Sequence, residues 1–240
     1  MAMHEEKKPS LNNPSIVYVG DVGFKDFVCA LDESGVVCWG EEVEGGHDVD
    51  AVVKNVPALV NPRELAGNSN WMCTIDDTGV VCWGPEGGGI LEVPEFVNPT
   101  SITLGDFHAC VIDEGRVPCW NNGFRSHNDG ARHNQPRLVN PRQVVAGGYH
   151  VCALHDLGVE CWGKSSNGQT EVPFLINPSR ILAASRDSTC ALDDTGVVCW
   201  GREGDLESVP FDLSFSSWSK RVVTQYLQTT SASQNISTLD

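Results

Sequence analysis

The segment from Cys29 to Gly40 reads CALDESGVVCWG, and four further copies follow it. They are CTIDDTGVVCWG from Cys73, CVIDEGRVPCWN from Cys110, CALHDLGVECWG from Cys152 and CALDDTGVVCWG from Cys190. The first cysteines are 44, 37, 42 and 38 residues apart, which is the length of one propeller blade. Each copy reads as a hairpin. In the first, Asp32-Glu33-Ser34-Gly35 is the turn, with Asp bonding the local backbone and Gly supplying the positive φ. That turn sets Leu31 opposite Val36, Ala30 opposite Val37 and Cys29 opposite Cys38. Alternation along a strand then puts both cysteines on one face.

Working outward, each unit opens with Asn-Pro, at Asn13-Pro14, Asn61-Pro62, Asn98-Pro99, Asn140-Pro141 and Asn177-Pro178. A short apolar run, the Cys hairpin and a Gly-rich polar loop follow. Units end in Val-Pro at Val56, Val93, Val172 and Val209, with Gln135-Pro136 in the third. The expected fold is all-β, a propeller or an open propeller arc of about five blades of three or four strands. The repeat selects this because one blade can bury its face only against the next copy. The expected boundaries are about 13–60, 61–97, 98–139, 140–176 and 177–213, after a flexible segment at 1–12. Residues 214–240 lack a Cys pair. They read as a helix or a degenerate sixth unit, followed by a disordered tail.

With 32 acidic and 16 basic residues the net charge is −16, which argues against nucleic acid and anionic membranes and favours a partner with a basic surface. No apolar run of about 20 residues spans a membrane. The ten cysteines form five pairs of identical spacing, Cys29–Cys38, Cys73–Cys82, Cys110–Cys119, Cys152–Cys161 and Cys190–Cys199. Read as disulfides, they place the chain in an oxidising compartment, outside the cell, at its surface or in a periplasm. The alternative is five reduced buried pairs in a cytoplasmic protein. Met1–Ser10 is polar and charged, so an exported protein would carry its leader elsewhere.

The run Ala146-Gly147-Gly148-Tyr149-His150-Val151-Cys152-Ala153-Leu154, continuing to Gly158 and Cys161-Trp162-Gly163, resembles the repeat of the regulator of chromosome condensation (RCC1-like) family. The loop from Trp162 to Pro173 looks like that of its bacterial relatives, which include a propeller-fold β-lactamase inhibitor protein. The Cys pairs are similar to those of exported members and of some plant receptor kinase ectodomains. The resemblance implies the propeller and a binding surface on its loops. Family propellers usually have seven blades, and five repeats are visible here. The Gly-x-x-His element is intact only at Gly105–His108 and Gly147–His150.

No convergent acid, base and nucleophile set stands out, so no catalytic residue, cofactor or metal site is expected. The Trp in each copy fits a packing role, and His108 and His150 read as structural histidines bonded to a nearby turn. Two irregular loops are the expected partner-binding sites. One is acidic and carries Glu41, Glu42, Glu44 and Asp48; the other carries Arg125, His127, Asp129, Arg132 and His133. The function expected is a non-catalytic, exported protein-binding module, with association through open blade edges. A guanine nucleotide exchange factor-like regulator of a small GTPase and a glycan-binding propeller are the alternatives.

The cysteine reading makes the first prediction. Intact mass spectrometry of the folded protein should find it ten hydrogens lighter than the reduced chain. Ten free thiols in freshly isolated protein would sink the oxidising assignment.

Overall fold

In the computed structural model, residues 9–21, 26–40, 51–86, 89–121, 135–184 and 186–202 are described. They form five three-stranded antiparallel sheets in chain order. Sheet 1 is β1 (Ile16–Asp21), β2 (Asp26–Asp32) and β3 (Gly35–Gly40); sheet 2 is β4 (Glu64–Gly67), β5 (Met72–Asp76) and β6 (Gly79–Trp83). Sheet 3 is β7 (Pro99–Leu104), β8 (His108–Asp113) and β9 (Cys119–Asn121). Sheet 4 is β10 (Gln143–Ala146), β11 (His150–His155) and β12 (Gly158–Gly163); sheet 5 is β13 (Arg180–Ala184), β14 (Ser188–Asp193) and β15 (Gly196–Gly201). The middle strand of each sheet is the second in sequence.

The register of sheet 1 follows from its turn, with Leu31 opposite Val36, Ala30 opposite Val37 and Cys29 opposite Cys38. The Cys pair is directly opposed in all five sheets and bonded, with Cα atoms 4.0 to 4.1 Å apart. Asp at the head of the turn holds two elements together. Asp32 Oδ1 accepts from the Ser34 amide and hydroxyl, while Oδ2 accepts from the Asn12 amide 20 residues earlier. Asp76 does the same with Thr78 and Val60, and Asp193 with Thr195 and Ile176. The Ser34 side chain first, then the backbone donors, holds the Asp32 carboxyl below the usual carboxylate range. In unit 4 His155 stands in, its Nδ1 accepting from the Val139 amide at 3.2 Å. The Asn of the Asn-Pro turn adopts φ near +50° at Asn13, Asn61, Asn140 and Asn177. Asn tolerates that region better than other non-glycine residues, and its amide donates to the next acid of the hairpin turn, as Asn61 does to Asp77. Each unit thus clips its opening turn to its own hairpin.

Successive sheets meet face to face. The face bearing the Cys pair, here the trailing face, packs on the leading face of the next sheet. Between sheets 2 and 3, Cys73 and Ile75 meet Ile102, Leu104, Val111 and Trp120. The other three junctions repeat the pattern. The repeated Trp belongs to the leading face. Its indole donates to a carbonyl in the loop of the preceding unit: Trp83 to Val52, Trp120 to Ile90 and Trp200 to Gln169, at 3.0 to 3.1 Å. Four junction cores for five sheets make an open arc among the described residues. The first strands lie innermost and line a central cavity of about 880 Å³. Cross-links tie them together: Asn68 Nδ2 donates to the Gly105 carbonyl, and the Ala146 amide donates to Thr103 Oγ1. The Gln143 side chain both donates to and accepts from the Ile181 backbone. Residues 214–240 lie outside the described residues.

A Trp inside a junction carries far more than one outside it. Trp120→Ala should lower unfolding stability by about 3–5 kcal/mol, since it removes a buried ring and leaves the Ile90 carbonyl without its donor. Trp39→Ala, at the half-buried leading face of sheet 1, should cost well under half of that. Denaturant titration of the two variants checks the ranking, and equal losses would contradict it.

Candidate functional site

In units 2 to 5 the turn joining the first and second strands points to one end of the cavity. In units 3 to 5 these turns hold Gly105-Asp106-Phe107, Gly147-Gly148-Tyr149 and Arg186-Asp187. They approach closely: a Cβ on Gly105 would lie 2.2 Å from the Gly147 carbonyl oxygen, and the Gly148 amide donates to the Arg186 carbonyl at 3.0 Å. Only glycine permits the first approach.

That closeness assembles an aromatic and ionic cluster. Phe107 and Tyr149 stack with ring centroids 5.0 Å apart. Lys164 Nζ sits 4.9 Å above the Tyr149 ring and the Arg186 guanidinium 6.0 Å from it, both within cation–π range. Arg186 also pairs with Asp106 at 3.3 Å. Its hydrogen bond with the Tyr149 side chain, and then the Asp106 charge, raise its pKa further. Burial pushes the Asp106 carboxyl up, Arg186 pulls it back, and Asp187 raises it again. Beneath them Tyr18 is buried, and burial first and the Asp106 charge second push its hydroxyl well above its usual range. Asp187 is held by Gln169 and Arg202. The cluster therefore presents a flat, partly exposed aromatic pair with fixed charges of both signs around it.

The two loops expected to bind a partner lie outside the described residues. This holds for Glu41, Glu42, Glu44 and Asp48, and equally for Arg125, His127, Asp129, Arg132 and His133. Their points of departure are described. The strand before the first loop ends at Gly40, opposite Phe27, and the strand before the second ends at Asn121, opposite His108. Both loops leave from the end of the arc that bears the cluster. The opposite end carries Val60, Val97, Val139 and Ile176, each just before an Asn-Pro and 42% to 77% exposed.

His108 and His150 lie under the cluster, fully buried. His150 Nε2 is 2.7 Å from Thr189 Oγ1, so its partner is a hydroxyl of the next sheet and not a nearby turn. Burial, and then the neighbouring His108 charge, lower its pKa to about 4 against the opposing pull of Asp187. It is neutral at neutral pH and welds sheet 4 to sheet 5. Among the described residues no group of three or more His, Cys, Asp or Glu is placed to hold a metal ion. None of their helices is long and apolar enough to cross a membrane.

The sequence reading missed the cluster because its members come from three units. The available signal was the two middle positions of Gly-x-x-His, which carry Asp106-Phe107 and Gly148-Tyr149 and align with Arg186-Asp187.

No known family profile matches the chain, and no curated protein matches it. The likeness to known proteins is in three dimensions. The entire ectodomain of the Physcomitrella patens receptor kinase CR4 superposes with a TM-score of 0.56 at 27% identity, over 73% of this chain and 49% of that one. The chain thus spans about half the length of that ectodomain. The CRINKLY WD40 ectodomain of the Arabidopsis thaliana receptor kinase ACR4 gives 0.61 at 22% identity, over 80% of this chain and 70% of that one. Human WBSCR16 gives 0.59 at 16% identity, over 79% and 62%. These likenesses place the fold among propellers.

The depressed His150 pKa has a definite sign in the stability profile. The unfolded chain takes up the proton first, near pH 6.5, while the folded ring takes it up only near 4. The contribution is complete above pH 6.5 and is lost as pH falls toward 4, by up to about 3 kcal/mol. His150→Gln, which keeps a polar group near Thr189, should flatten thermal unfolding midpoints across that window. An unchanged slope would refute the assignment.

Proposed function

We propose that the protein is a non-catalytic binding module, an RCC1-like propeller arc exported from the reducing cytosol, that recognises another protein. The recognition surface is the end of the arc bearing the Phe107–Tyr149 stack. The observation that carries this reading is the stack itself, since it is partly exposed, braced by Lys164 and Arg186, and shared among three units. Aromatic residues and Arg dominate the energetics of protein interfaces, and a rigid pair presents area at little entropic cost. The loops holding Glu41 to Asp48 and Arg125 to His133 leave from the same end and would form its rim. The excess of acid suits a partner with basic groups around its contact.

Five disulfides support the exported location, and the likeness to receptor kinase ectodomains agrees with it. The unit boundaries at about 13, 61, 98, 140 and 177 belong to the same proposal. The glycan reading loses its aromatics: Trp83, Trp120, Trp162 and Trp200 are only 4% to 6% exposed, inside the junctions.

The test is capture by crosslinking. The immobilised protein and a Tyr149→Ala/Arg186→Glu variant are exposed to the secreted and surface proteins of the source organism. A species held by the native protein should be lost about tenfold or more with the variant, whose unfolding midpoint stays near native. Identical capture by both would overturn the assignment of this surface.

A further inference from the structure

Each junction pairs one trailing face with one leading face. Five sheets joined by four junctions leave one face of each kind over among the described residues, the leading face of sheet 1 and the trailing face of sheet 5.

The leftover leading face is apolar. Val17, Val19, Val28 and Trp39 share it and are half-buried. Their counterparts in sheet 3, Ile102, Leu104, Ala109 and Trp120, are all buried. So are Val144, Ala146, Val151 and Trp162 in sheet 4. Trp39 also differs chemically from its siblings. The indoles of Trp83, Trp120 and Trp200 donate to the preceding unit, whereas no described backbone carbonyl takes the Trp39 N–H. At the far end of the arc, Leu192 on the trailing face of sheet 5 is half-buried. Its counterparts Leu31, Ile75, Ile112 and Leu154 are 1% to 5% exposed.

The molecule itself shows what fits such a face. At every internal junction a leading face is covered by the trailing face of a sibling sheet, and among the described residues the trailing face left over is that of sheet 5. We propose that the leading face of sheet 1 docks the trailing face of sheet 5 from a second copy of this chain, so that Val17, Val28 and Trp39 meet the partner's Leu192. The contact repeats the internal junction between molecules. It is head-to-tail, so it leaves a free face at each end, and association continues unless the rotation happens to close a ring.

Two charged substitutions test this on the full chain. Trp39→Glu spoils the leading face and Leu192→Glu the trailing face. Sedimentation of the native protein should show a mean mass that climbs with concentration past the dimer or settles at one closed ring. Each variant alone should run as a monomer. The two variants mixed should form a one-to-one dimer that grows no further, because Leu192→Glu keeps a native leading face and Trp39→Glu a native trailing face. This complementation also shows that both variants are folded. A native protein monomeric at every concentration would overturn the proposal, as would a mixture that stays monomeric. A Leu192→Glu variant that still dimerises alone would overturn it too, by showing two leading faces joined to each other.

Discussion

A three-stranded sheet has two faces, and in this chain each face is covered only by a neighbouring sheet, the leading face by the sheet before and the trailing face by the sheet after. Everything else in the arc follows from that. The hairpin places Cys, Leu and Val on the trailing face, and Ala, Val or Met with Trp on the leading face, by strict alternation. Neither set is large enough to form a core alone. Joined, they make a buried apolar layer that is renewed at each repeat. The Trp closes the layer at its outer side, where its N–H reaches the loop of the preceding unit and so also fixes the spacing between units.

The same constraint explains why the cysteines are where they are. A blade is short, and much of its leading-face burial depends on a neighbour. A covalent tie across the hairpin limits what the strand pair can do before the neighbour arrives. Each bridge closes a loop of about ten residues, for which chain entropy gives roughly 2–3 kcal/mol. The Asp that heads the turn works alongside it, since it binds the hairpin to the Asn-Pro segment that leads into the same unit. Two local devices therefore hold one blade, and one long-range device joins it to the next.

How much of this was legible depends on how local the cause is. The hairpin register was fully readable because Asp, Gly and two Cys all lie within twelve residues and leave a single alignment. The arc was readable because the period is regular. The Asn-Pro marks were visible, yet their reason was not: it takes the fold to bring Asn61 to Asp77 and Val60 to Asp76. His155 shows the limit from another side. The sequence offers a His where the siblings have Asp, and only the fold shows that its ring nitrogen takes over the same acceptor duty. The aromatic cluster was the least legible element, since Asp106, Tyr149 and Arg186 are brought together by the curvature of the arc and by the glycines that let neighbouring turns touch.

Conservation of pattern and departure from it carry different information here. Positions that are alike in every unit, such as Trp and Cys, are consumed by the junctions and are unavailable to a partner. Side chains that differ between units, such as Phe107 and Tyr149 in the middle of Gly-x-x-His, lie outside the junction cores and can vary from unit to unit. The two irregular loops belong to the second class by sequence, and the strands before them end on the same end of the arc as the cluster. Trp39 is the instructive exception. It has the sequence of a junction residue but is only half-buried, so its identity is explained by the repeat and its position by the end of the arc. A residue built to be covered and left half-open marks the point at which the repeat calls for another sheet.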